Sequence, residues 1–312
     1  QTCALPILAE QNGQRETNGY NVAGRQDFDW YTGERLERMV REAVRRTTVL
    51  FDAVPPPVGE MRLRECTWEP CVSIEVPKDW PSGVYLAKLS ANEHRFQSYI
   101  TFIVKDDRAA DFLFQCSTNT WQAYNKWPDT HSLYDNDRPD KKPHVSGVRV
   151  TFDRPYSRYP QVTDTPLTLG SGEFLPFEFP FAFWAEQQGY DVTYCSNYDI
   201  HTGGLPFITR TKTFLSIGHD EYWTVPQYEA CMAAVKAGVN FGFFSGNSVC
   251  CVIRHYPSVD GRPDRVIERR GRFGGLREAE AKWMVDLPEP GPDEALLIEE
   301  RVRREKAERR KR

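Results

Sequence analysis

KTFLSIGHDEYWTVPQYEACMAAVKAGVNFGFFSG, residues 212–246, holds a complete strand–helix–strand unit. KTFLSIG (212–218) is a short run rich in β-branched and aromatic residues that ends on a glycine, which predicts a strand. VPQYEACMAAVKAG (225–238) opens at Pro226 and closes at Gly238. Tyr228, Cys231, Met232 and Val235 share one face, so the segment reads as a helix. VNFGFFSG (239–246) is a continuous apolar run bounded by turn residues, the pattern of a buried strand. Two strands joined by one helix lie parallel through a right-handed crossover.

The same rhythm extends upstream. FEFPFAFWAEQQG (177–189) predicts a helix with Pro180 near its start and Gly189 at its end. YDVTYCS (190–196) predicts a strand, followed by a polar turn through Asn197, Asp199 and His201. DFLFQCS (111–117) is the first strand of the series. Together they predict an α/β core with a mainly parallel sheet over residues 107–298.

Residues 31–106 have a different character. Leu36, Met39, Val40, Ala43 and Val44 predict a helix over 33–48, and PPP at 55–57 ends that segment. CVSIEV (71–76), GVYLAKLS (83–90) and SYITFIVKD (98–106) read as antiparallel strands of a small β-sandwich-like domain. Asp106-Asp107-Arg108 marks the boundary to the core. Residues 1–30 are expected to be disordered or artefactual, because QTCALPI (1–7) matches the in-frame translation of a common sequencing adapter. Residues 299–312 form a basic tail, and the chain is expected to be truncated.

The net charge is −4, which gives no support to general nucleic-acid binding, and no apolar run is long enough to span a bilayer. The 8 cysteines include no Cys-x-x-Cys pair, which argues against a zinc ribbon. Cys66 and Cys71 are placed either to pair across a turn or to remain free thiols. With no secretory signal, the chain is expected to be cytoplasmic.

Ligand sites in such sheets lie outside the carboxyl ends of the strands. That rule selects residues 117–125, 218–224 and 245–248. His219, Asp220 and Glu221 follow one strand in immediate succession. Tyr124 and Asn125, with Tyr134 beyond, follow another; Ser245 and Asn247 follow a third. There is no His-Glu-x-x-His, no phosphate-binding Gly-x-x-x-x-Gly-Lys-Ser/Thr loop, and no Gly-x-Ser-x-Gly frame around Ser245. Gly170-Ser171-Gly172 lacks the third glycine of a dinucleotide loop. What remains is a metal or acid–base site. Carboxylate and phenolate are hard donors, and phenolate suits ferric iron.

GHDEYWT (218–224), TWQAYNKW (120–127), SLYD (132–135), VTFDRPY (150–156), GYDVTYCSNYD (189–199) and FFSGNSV (243–249) together resemble the large (beta) subunit family of N,N-dimethylformamidase. DWPSGVYLAKL (79–89) resembles the β domain that precedes its core. The resemblance implies a three-layer, glutamine-amidotransferase-like core carrying a mononuclear iron amidohydrolase site. It implies ferric iron on Tyr124, Tyr134 and Glu221, with His219 and Asn247 as catalytic residues and a small amide as substrate. The family's C-terminal carboxylate has no secure counterpart; Glu294 lies in a different-looking segment. Two rival readings stand beside this one: a hydrolase using another metal or none, and a non-catalytic, carbohydrate-binding or scaffolding member. The sequence leaves open whether a small partner subunit or a homo-oligomer completes the protein. Asp220 is expected to support the ligand beside it, and Trp223 to form a pocket wall.

Overall fold

The computed structural model describes residues 55–59, 61–67, 73–90, 97–128, 131–134, 149–157 and 170–272. The helix expected at 33–48, the basic tail and Glu294 lie outside these residues.

Strands β3 (Ala110–Cys116), β5 (Val192–Ser196), β6 (Thr211–Gly218) and β8 (Asn240–Ser245) form a four-stranded parallel sheet in the order β5-β3-β6-β8. Burial on both faces explains why β3, β5 and β6 read as near-continuous apolar runs. Helices α3 (Asn197–Ile208) and α4 (Val225–Ala237) cover one face, where Ile200, Ile208, Cys231 and Val235 pack on Leu113, Phe214 and Phe241. Helix α2 (Phe179–Gln187) and the antiparallel hairpin β1 (Gly83–Ser90)–β2 (Gln97–Val104) cover the other, with Ala182, Ala185 and Val84 against Phe114, Tyr194 and Leu215. The chain runs from β3 outward to β5 and then back across to β6. The strand order therefore reverses between β3 and β6, and the crevice at their carboxyl ends is the topological switch point.

A second sheet stands beside that crevice. It comprises β4 (Arg149–Thr151), β7 (Tyr222–Trp223), β9 (Cys251–Tyr256) and β10 (Val266–Arg272) in the order β4-β10-β9-β7. β7 runs parallel to β9, and the other pairs are antiparallel. Ile253, Ile267, Val150 and Tyr222 form its own core with Ala123 and Leu133. No described helix is long and apolar enough to cross a membrane.

Several expectations require correction. Residues 73–76 of the expected CVSIEV strand carry no strand pairing, so the described residues ahead of the core contribute one two-stranded sheet. The segment after β5 is not a polar turn but helix α3. Ser196 caps it: the Ser196 hydroxyl accepts the Asp199 N–H, and the Asp199 carboxylate accepts the Ser196 N–H. Gly204, at φ 57°, and Pro206 kink this helix, which is why its apolar residues show no clean period. The helix expected at 177–189 begins as a π-helical turn, Phe174–Glu178, and continues as α2. Cys66 is buried, and Cys71 lies outside the described residues.

Candidate metal centre

Helix α1 (Thr118–Tyr124) starts directly after β3, and its last residue is Tyr124. The Leu133 N–H bonds the Ala123 carbonyl at 2.9 Å, which lays the Tyr134 segment against α1. Arg154 fastens the intervening chain: its guanidinium donates to the carbonyls of Trp127, His131 and Gln122 at 2.5, 2.7 and 2.9 Å. Across the crevice, β6 ends at Gly218, and residues 219–221 bridge to β7. Thr120 Oγ1 accepts the N–H groups of Glu221 and Tyr222 at 3.0 and 3.2 Å. The Cys251 N–H bonds the Glu221 carbonyl at 2.9 Å. Glu221 is thus held between α1 and β9.

These elements bring three oxygens together. The Tyr124 hydroxyl donates to Glu221 Oε2 at 2.5 Å, and the Tyr134 hydroxyl donates to Tyr124 Oη at 2.6 Å. Tyr134 Oη lies 3.4 Å from both Glu221 oxygens. The two rings stack at 4.5 Å between centroids, so Tyr124 packs on Tyr134. The Tyr222 hydroxyl donates to Tyr134 Oη from behind, and the Arg269 guanidinium stands 5.9 Å over the Tyr134 ring.

Burial, then the negative Glu221, pushes both phenols well above the ordinary tyrosine range. Burial works against ionisation of Glu221 as well, but hydrogen bonds from His219 and Tyr124 outweigh it and hold the carboxyl below its usual value. Three acidic groups are therefore packed where their ionised forms repel one another. A cation among them reverses that sign. Separations of 2.5–3.4 Å suit three hard oxygens on one small, highly charged ion, so the donor set fits ferric iron.

His219 reaches the same carboxylate. Its Nε2 is 3.3 Å from Glu221 Oε2 and 3.3 Å from Asn247 Nδ2. Its Nδ1 is 3.6 Å from Oε2 of Glu173. Burial alone would lower its pKa, but the two carboxylates hold it up at about 9. Asn247 is exposed at φ 52°, a left-handed conformation that Asn tolerates. It precedes β9 rather than a helix, so it is not a helix cap. All five sequence-predicted site residues lie in one constellation.

Other candidates have structural duties. Ser245 Oγ accepts the Asp220 N–H at 2.7 Å and donates to the Gly246 carbonyl. Asp220 is fully buried and accepts hydrogen bonds from Gln115, Asn197 and Ser216 at 2.6, 3.0 and 2.8 Å, which locks the strand ends together. Trp223 is not a pocket wall; it is fully buried against Phe214 in the core between the sheet and its helices. His201 Nδ1 lies 2.8 Å from Thr224 Oγ1, the N-cap of α4.

The family described as N,N-dimethylformamidase beta subunit-like, C-terminal, matches residues 24–283. The chain belongs to this family. Comparison with curated proteins gives no match. The matched span of the family includes both four-stranded sheets, Tyr124, Tyr134, His219, Glu221 and Asn247.

Sequence reasoning missed three neighbours of this centre. Glu173 lies under His219. Cys250 and Cys251 lie beside Glu221, with Cys251 Sγ 3.4 Å from Oε1. One ligand atom from each of Glu221, Cys250 and Cys251 lies within 4.8 Å of the others. Contact with Cys250 and then burial pushes the Cys251 thiol up, so Cys251 sits as a neutral thiol beside the carboxylate. The adjacent pair in SVCCV was the available signal.

Proposed function

We propose that this chain is a metal-dependent hydrolase of C–N amide bonds, N,N-dimethylformamidase-like, with mononuclear ferric iron held by Tyr124, Tyr134 and Glu221. The observation that carries the reading is the convergence of those three hard oxygens at the switch point of a parallel sheet. The strand order and the helices on both faces also support the amidotransferase-like core that the family resemblance implies.

Ferric iron supplies Lewis acidity, which polarises a carbonyl and makes water a stronger acid. The chain's own residues do the rest. Neutralising Glu221 removes one of the two carboxylates that keep His219 protonated, and Nε2 becomes a base. His219 then takes a proton from the attacking water and returns it to the amine nitrogen as the C–N bond breaks. Asn247, level with Nε2 at the open side of the centre, donates its Nδ2–H to the amide oxygen as negative charge builds there. Phe177, edge-on to His219 at 6.2 Å, walls the site on the α2 side.

The test is hydrolysis of N,N-dimethylformamide and a series of small N-alkyl amides by the iron-loaded protein. We expect amine release that Glu221→Ala abolishes. Turnover undiminished in Glu221→Ala would refute the reading, and so would iron-loaded protein inert toward every amide.

One observation favours a second reading, a hydrolase with a softer metal: the Glu221, Cys250 and Cys251 cluster offers two sulfurs where the tyrosines offer oxygens. Metal content separates the two. The softer-metal reading predicts that Cys250→Ser/Cys251→Ser loses the bound metal while Tyr124→Phe keeps it, and the iron reading predicts the reverse.

A further inference from the structure

Glu173 is 4% exposed, and neither of its carboxylate oxygens has a hydrogen-bond partner among the described residues. Burying a carboxylate without compensation costs several kcal/mol. The nearest compensating group is the imidazole of His219, whose Nδ1 lies 3.6 Å from Glu173 Oε2. The ring stands between two carboxylates, with Nδ1 toward Glu173 and Nε2 toward Glu221 and Asn247.

The chain around Glu173 is shaped to put it there. Gly170, at φ 93°, packs so closely on β2 that a Cβ would come 2.5 Å from Ser98 Oγ and 2.7 Å from the Tyr99 carbonyl. Gly172, at φ 64°, packs on α1, where a Cβ would meet the Trp121 side chain at 3.0 Å. The Gly170-Ser171-Gly172 segment is thus wedged between β2 and α1 and carries Glu173 inward. The next residues form the π-helical turn Phe174–Glu178, a local geometry that recurs at functional sites. Within that turn, the Phe177 ring contacts His219, and the Phe177 carbonyl packs on Gly218, where a Cβ would come within 2.8 Å.

We propose that Glu173 is the positioning residue of His219: it holds Nδ1–H toward the buried carboxylate so that Nε2 faces the metal-binding oxygens. This rests on His219 being the proton acceptor of the proposed hydrolysis. A carboxylate behind an imidazole sets tautomer and ring orientation in other acid–base sites. The 3.6 Å separation exceeds a hydrogen bond, and contacts of this kind shorten when substrate binds.

A double-mutant cycle tests the proposal on iron-loaded protein, with N,N-dimethylformamide as probe. Glu173→Gln should lower kcat about 10- to 100-fold with KM and iron content unchanged. Glu173→Gln added to His219→Ala should lower it no further than His219→Ala alone. Impaired His219→Ala beside unimpaired Glu173→Gln, or two losses that simply multiply, overturns the positioning role and leaves the hydrolase reading intact. Undiminished turnover in His219→Ala removes the base assignment and this proposal with it. A readout independent of turnover is the proton spectrum of metal-free, 15N-histidine-labelled protein. A slowly exchanging Nδ1–H of His219 should be present in the wild type and lost in both Glu173→Ala and His219→Ala. Its absence from the wild type overturns the proposal whatever the kinetics show.

Discussion

Glu221 is the residue on which the centre turns, because its two oxygens face different chemistries: Oε2 meets Tyr124 and His219, while Oε1 meets Cys251. Its backbone depends on Thr120, whose Oγ1 accepts two buried N–H groups. Thr120→Val should leave both unpaired and cost about 2–4 kcal/mol by urea unfolding, while Thr120→Ser should be close to wild type. Equal stability of the Val and Ser variants would show that those bonds matter little. The convergence of Tyr124, Tyr134, Glu221, His219 and Asn247 was legible, since strand-end position and the family's motifs point to the same places. Glu173 was not, because a lone glutamate between a glycine and a phenylalanine carries no signal until the packing of Gly170 and Gly172 is known. Trp223 was misread because alternation after Glu221 cannot distinguish a side chain facing the crevice from one facing the core; its neighbour Tyr222 is the one that reaches Tyr134.

The π-helical turn and α1 are tied together by Glu178. Its Oε1 accepts the Ser117 N–H at 3.0 Å and the Trp121 indole N–H at 2.8 Å. Burial pushes the Glu178 carboxyl up to about 8, against these two hydrogen bonds. The unfolded chain loses this proton near the ordinary glutamate value of 4.5 and the folded chain only near 8, so between those values the folded state holds more protons. Stability should therefore fall from about pH 4.5 to about pH 8 and level off above, by on the order of a few kcal/mol. Denaturant unfolding of wild type and Glu178→Gln across this range checks it: the variant should show a flatter profile, and parallel profiles would contradict the assignment. Helix α4 was readable from Pro226, which lies in its first turn after the N-cap Thr224, and from Gly238, its C-cap. Helix α3 was not, since Gly203, Gly204 and Pro206 mask its period, although Ser196-x-x-Asp199 is a capping-box signature. Ser196→Ala should cost about 1 kcal/mol by the same unfolding measurement. Strands β7 and β4 of the second sheet were invisible for another reason: they have two and three residues, too short for any periodicity.

At the scale of the whole molecule, the parallel sheet supplies Tyr124, His219 and Glu221 from its switch point, and the second sheet closes the centre behind Tyr134 and Tyr222. The α/β character was legible because buried parallel strands write themselves as apolar runs between capped helices. The pairing of the two sheets was not, because it depends on single side chains such as Thr120 and on backbone bonds from residues 246–251 to residues 218–221. A metal bound only by the folded state should stabilise all these parts together, by about 2.7 kcal/mol at a free metal concentration 100 times Kd. Thermal unfolding with and without added ferric iron should show that increase in wild type and none in Glu221→Ala. The most direct measurement is the metal content and visible spectrum of the purified protein. The account predicts one iron per chain with a phenolate-to-iron charge-transfer band that weakens in Tyr124→Phe and in Tyr134→Phe. Stoichiometric zinc without such a band, or a band unchanged in both variants, would contradict it.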